Sequence, residues 1–143
     1  MPIGQFLEID QNDNLCWIPE YYSPILPRIM RFNLKTSALD SVISLPIPDP
    51  TAASSITSLK FDKQQNLFVV IDNRILKYNM ATKQASQLNI ELFEPNGIAF
   101  DSEGSLYYSE NGPLLVGDAY SYNIPRLRKI NAPIKDSYFT PIP

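Results

Sequence analysis

The chain has 143 residues, 44% of them hydrophobic and 19% charged, with a net charge of -3 and no basic block. That is enough for one domain with a sizeable core, and it excludes a disordered chain and a nucleic-acid binder that neutralises phosphates with a cationic patch. No apolar run approaches about 18 residues, so no membrane-spanning helix is expected, and with no histidine and only Cys16, an imidazole-based triad, an internal disulfide and a Cys/His zinc site are excluded.

Thirteen prolines against five glycines argue further against helical bundles, because proline costs about 3 kcal/mol inside a helix but is tolerated in turns and at strand edges. The opening MPIGQFLEID lacks the basic segment and apolar stretch of a signal peptide. Two compartments follow: a cytoplasmic protein, or a secreted one whose leader has been removed.

The same grammar then recurs three times along the chain. Asp is followed five positions later by Leu at Asp10 to Leu15, Asp62 to Leu67 and Asp101 to Leu106. Each pair joins two short apolar runs through a polar turn, a hairpin signature. The anchoring Asp residues read as turn hydrogen-bond acceptors.

A third strand follows each hairpin: RIMRFN from Arg28 to Asn33, RILKYN from Arg74 to Asn79, and RLRKIN from Arg126 to Asn131. Alternation gives each one buried face, and the terminal Asn suits the next turn. The leading arginines read as exposed. After them LDSVISLPIP, ASQLNIELFEP and SYFTPIP read as outer strands, so each repeat holds four.

Four-stranded antiparallel sheets recurring every 40 to 50 residues or so match the blades of a β-propeller. The expected fold is therefore all-β: three four-stranded blades, about 1–50, 51–94 and 95–143, half of a six-bladed ring. A β-sandwich is the runner-up, although it does not require one strand signature to recur. Propellers close with four to eight blades. Three leave two flanks bare, to be covered by a second copy in a homodimer or by blades of a longer chain.

In this topology the connections entering the first strand and those joining the second to the third emerge on one face. Five positions before each anchor Asp stand Gln5, Thr57 and Asn96, at the starts of the innermost strands. The second-to-third connections add Glu20, Asp72, Glu110 and Asn111, with Tyr21, Tyr22, Tyr120 and Tyr122 as walls. These are oxygen donors, so calcium is the metal they could take. No zinc, haem or nucleotide is expected.

Plainer readings stand beside these. Asn96-Gly97 is a common turn dipeptide. Glu20 and Glu110 also read as solvated loop charges, and Trp17, Tyr107 and Tyr108 as packing between blades.

The stretch PNGIAFDSEGSLYYSENG, residues 95–112, resembles the senescence marker protein and gluconolactonase family of six-bladed propellers. The resemblance implies that Asn96 coordinates a divalent cation, commonly calcium, at the channel mouth. That family opens its first blade with Gly-Glu, whose Glu is a ligand; here the pair is Gly4-Gln5. The family's second Asn and its catalytic Asp have no counterpart in the chain.

The stretch NLCWIPEYYSPILPRIMRFNLKTSALDSVISLPIP, residues 14–48, resembles the first blade of the yellow and royal jelly family, secreted propellers that bind small amines or are structural. The blade grammar is also that of NHL repeats. Two functions are carried forward. One is a non-catalytic module binding a small ligand or partner at the loop face. The other is a calcium-dependent lactone or ester hydrolase in which Asn96 and Gln5 hold the ion, Asp72 or Glu110 activates water, and Thr57, Glu20, Asn111 and Tyr120 contact the ligand.

Overall fold

The computed structural model describes residues 5–18, 28–45, 56–117, 119 and 121–142. Among these the chain is all-β, with no α-helix and one short 3-10 turn at Asp136–Tyr138. The first sheet runs in chain order through β1 (Gln5–Ile9), β2 (Asn14–Ile18), β3 (Arg28–Asn33) and β4 (Ala38–Ser44). The second contains β5 (Ile56–Phe61), β6 (Leu67–Ile71), β7 (Arg74–Asn79) and β8 (Gln84–Leu88), and the third β9 (Pro95–Phe100), β10 (Leu106–Glu110) and β13 (Arg126–Ile130). Between β10 and β13 the connection forms its own hairpin, β11 (Leu114–Val116) with β12 (Ser121–Asn123). None of these sheets closes on itself.

The recurring Asp works alike in all three first hairpins. Its carboxylate accepts the backbone N–H four residues on: Asp10 from Asn14 at 2.9 Å, Asp62 from Asn66 at 2.8 Å, and Asp101 from Ser105 at 2.9 Å. The Asp N–H donates back to the carbonyl of that same residue, and the turn passes through a left-handed residue at Asp13, Gln65 or Gly104. A short side chain with a fixed acceptor satisfies groups the turn would otherwise leave open. Registers repeat as well, with Leu15 opposite Phe32, Leu67 opposite Tyr78 and Leu106 opposite Ile130. Each arginine-led segment is thus the third strand of its sheet.

The core forms between sheets. All five residues of β6 are buried, and because alternate side chains leave opposite faces they serve two clusters. Leu67, Val69 and Ile71 pack with Cys16, Ile29 and Leu45, while Phe68 and Val70 pack with Ile98, Leu106 and Tyr108. Each such side chain contributes roughly 1.5–3 kcal/mol by leaving water. The edge strand β5 lies against both β1 and β9.

One expected strand is elsewhere. SYFTPIP does not become the fourth strand of the third sheet; the strand it contains, β14 (Phe139–Pro141), pairs antiparallel with β8, with Phe139 opposite Leu88. In the first two repeats the Asn at the end of the third strand accepts the N–H groups two and three residues on, Lys35 and Thr36 at Asn33, Ala81 and Thr82 at Asn79. Two residues after Asn131 comes Pro133, which has no N–H to offer. That turn cannot close, and the chain continues to the outer edge of the second sheet.

Candidate functional site

The first strand of each sheet slips register near its start: between Gln5 and Leu7, between Ile56 and Ser58, and where β9 passes Tyr108 to Glu110. Such bulges re-aim side chains. Thr57 lies in the second and Asn96 in the third, where the N–H of Gly97 donates to Ser109 Oγ at 3.0 Å. Ser58 Oγ accepts the N–H of Ile98 at 3.2 Å, holding β5 to β9.

An open cleft of about 380 Å³ lies here, lined by Thr57, Asp72, Asn73, Glu94, Pro95, Asn96 and Asn111. Thr57 Oγ1 donates to the carbonyl of Asn96 at 2.9 Å, so the two bulges share one wall. Asp72 and Asn73 are the two central residues of the β6–β7 turn, both left-handed with φ of 48° and 62°, and Ile71 stands opposite Arg74. A two-residue turn with positive φ throughout matches the strand twist, which holds these side chains on the rim. Asn111 Nδ2 donates to Glu94 Oε2 at 2.7 Å. Backbone bonds from Asn111 to Glu94 and from Gly112 to Phe93 fix the opposite wall.

Four residues named from the sequence, Thr57, Asp72, Asn96 and Asn111, therefore meet in one cleft. Glu110 does not join them. It is buried, its Oε2 accepting the Phe93 N–H at 2.9 Å and its Oε1 accepting from Arg126 at 2.6 Å. The solvated-loop reading of Glu110 is thus corrected: Leu106, Tyr108 and Glu110 alternate onto the inward face of β10, a parity already present in the sequence. Arg126, expected to be exposed, is half-buried against it, and Arg74 is half-buried in its own sheet. Gln5 pairs with Ile18 in β1. Glu20, Tyr21, Tyr22 and Tyr120 lie outside the described residues.

Glu94 and Asn73 were not singled out from the sequence. The signal was available for both: Asn73 completes the Asp-Asn turn, and Glu94, left-handed with φ of 51°, immediately precedes the bulged Pro95-Asn96-Gly97.

The cleft carries negative charge from Asp72 and Glu94 and otherwise presents amides and a hydroxyl. Burial lowers the pKa of Arg74, an effect the neighbouring Asp72 charge opposes. The donors suit a hard cation in kind, since calcium takes six to eight oxygens. Glu94 Oε2 is already hydrogen-bonded to Asn111, and among the described residues no three of His, Cys, Asp and Glu gather as a metal-holding group. No protein-family model matches the chain and no curated protein does, so any function is to be read from the cleft itself.

Proposed function

We propose that the protein is a β-propeller segment of three radial sheets whose loop-face cleft binds a small polar molecule, without catalysing a reaction on its own. Three sheets that share the order of their first three strands, meeting face to face with β5 between β1 and β9, support the propeller reading. The observation that carries the binding reading is the convergence of Thr57, Asp72, Asn96 and Asn111, from four separate segments, on one polar cleft. Two carboxylates among amides favour a ligand rich in hydroxyl or amine donors. Calorimetric titration of sorbitol and of tyramine tests it: Asp72→Ala should remove the heat with either ligand. No heat from either, with the parent chain folded, would refute the reading.

The alternative, a calcium-dependent hydrolase of lactones or esters, is favoured by one observation: Asn96, the residue the gluconolactonase resemblance marks as an ion ligand, shares the cleft with Asp72. The shortage of charged ligands ranks it second. Absence of heat and of any thermal shift at millimolar calcium would leave that reading without its ion.

A further inference from the structure

In the first sheet Ile9, Leu15, Phe32 and Leu39 stand opposite one another across all four strands. Beside that row lies a second, Leu7, Trp17 and Met30. All seven are apolar and share one face, yet Leu7 is 63% exposed, Ile9 56% and Leu39 54%. Leu15, Trp17, Met30 and Phe32 between them are half-buried, and an apolar face this exposed along its margins marks an interaction surface.

The other two sheets show what such a face accepts. The corresponding row of the second sheet, Phe61, Leu67, Tyr78 and Ala85, packs with Cys16 and Ile29 of the first. In the third, Phe100, Leu106 and Ile130 pack with Phe68 and Val70 of the second. Both times this row meets the opposite face of the preceding sheet. The third sheet's own opposite face, carrying Ala99, Tyr107, Ser109 and Leu127, packs into neither core cluster, and Leu127 is 72% exposed. Its Lys129 lies over the Tyr107 ring at 5.1 Å and near Asp101, so that charge already has partners.

We infer that two copies of this chain pair head to tail, the Tyr107–Leu127 face of each third sheet covering the Ile9–Leu39 face of the other copy's first sheet. The pairing repeats the mating rule seen twice within the chain, and with two copies it closes by two-fold symmetry, leaving neither face bare. It rests on the proposed reading of the sheets as radial blades.

Light scattering of the full chain, with Leu7→Lys and Leu127→Asp, tests the pairing. Both residues are well exposed, so the substitutions should leave the far-ultraviolet circular dichroism unchanged; Ile9→Lys replaces Leu7→Lys if that variant does not fold. The parent should run at twice the chain mass and each variant alone at the chain mass. Mixing the two variants should restore twice the mass, because one interface then sets the introduced lysine against the introduced aspartate and the other remains unaltered. A parent at the chain mass, a mass that climbs with concentration past twice the chain mass, variants that still pair, or a mixture that stays monomeric would each overturn the inference. The cleft lies within one chain, so sorbitol or tyramine heat in the monomeric variants separates failure of pairing from failure of the binding reading.

Discussion

Glu110 and Arg126 stand opposite each other on β10 and β13, joined by a 2.6 Å hydrogen bond in which the carboxylate is fully withdrawn from water. Arg128 approaches the same oxygen at 3.6 Å, and the Arg126 guanidinium lies over the Phe93 ring at 5.1 Å. Since the other oxygen holds the Phe93 N–H, the pair anchors the segment leading into the Glu94 wall of the cleft.

Glu110→Ala should therefore destabilise the fold by about 3–5 kcal/mol, because it leaves a guanidinium half-buried without its counter-charge. Lys35→Ala, which breaks the exposed pair with Asp13, should cost no more than about 1 kcal/mol. Urea unfolding of both variants makes the comparison, and equal losses would contradict the structural role given to Glu110.

Phe68 should be the most sensitive apolar position. Its ring meets Phe100 edge-on at 5.0 Å and Phe139 at 6.0 Å, so one side chain joins the second sheet to the third and to β14. Phe68→Ala should cost about 3–5 kcal/mol. Hydrogen exchange should show β14 losing protection in the same variant.

Stability should decline in acid through the turn carboxylates. For Asp10, burial raises the pKa, but hydrogen bonds from the Asn14 side chain, Asn14 N–H and Asn12 N–H, with the Arg31 charge, bring it below 3.8. Asp101 is lowered chiefly by the Ser105 N–H, with help from Glu103, Lys129 and Gly104, against some desolvation. A folded-state pKa below the unfolded one gives stability that is present above the unfolded value and lost as pH falls through the folded value. The denaturation midpoint should thus change little from neutrality to about pH 5 and drop below about pH 4. Asp10→Asn should flatten that acid limb; an unchanged limb would show that Asp10 is not its source.

Gly112→Ala should displace the β11–β12 hairpin. A Cβ there would sit 1.7 Å from the Ile124 carbonyl oxygen, and the residue has φ of +81°. Left-handed strain alone costs on the order of 1–3 kcal/mol, and the backbone clash adds to it. Gly97→Ala meets only Ser109 Oγ, at 3.3 Å, and should be milder. Thermal denaturation of the two variants, with the Gly97 loss equalling the Gly112 loss, would be the contrary result.

Much of the fold was legible from local chemistry. The Asp-to-Leu spacing identified three equivalent hairpins because an Asp turn is closed by atoms within five residues, and the arginine-led segments identified the third strands because pleating enforces their alternation. The position of β14 was not read correctly, although Pro133 carried the signal: its missing N–H prevents the turn that Asn33 and Asn79 make. Among the residues lining the cleft, Thr57 and Asn96 were legible from the repeat alignment and Asp72 and Asn111 from the second-to-third connections. Glu110 was misread as a solvated charge because its neighbours in sequence resemble a loop, whereas its partner Arg126 arrives only after the β11–β12 insertion.

Sequence alone determined the strand grammar, the three Asp turns and the absence of any imidazole, since each depends on residue identity and spacing over a few bonds. Tertiary structure alone decided which edge β14 joined, which carboxylate stayed in the cleft and which was enclosed by arginines, and which apolar side chains were left exposed. Those outcomes depend on contacts between distant segments, where burial and pairing are set by what packs alongside rather than by what precedes along the chain.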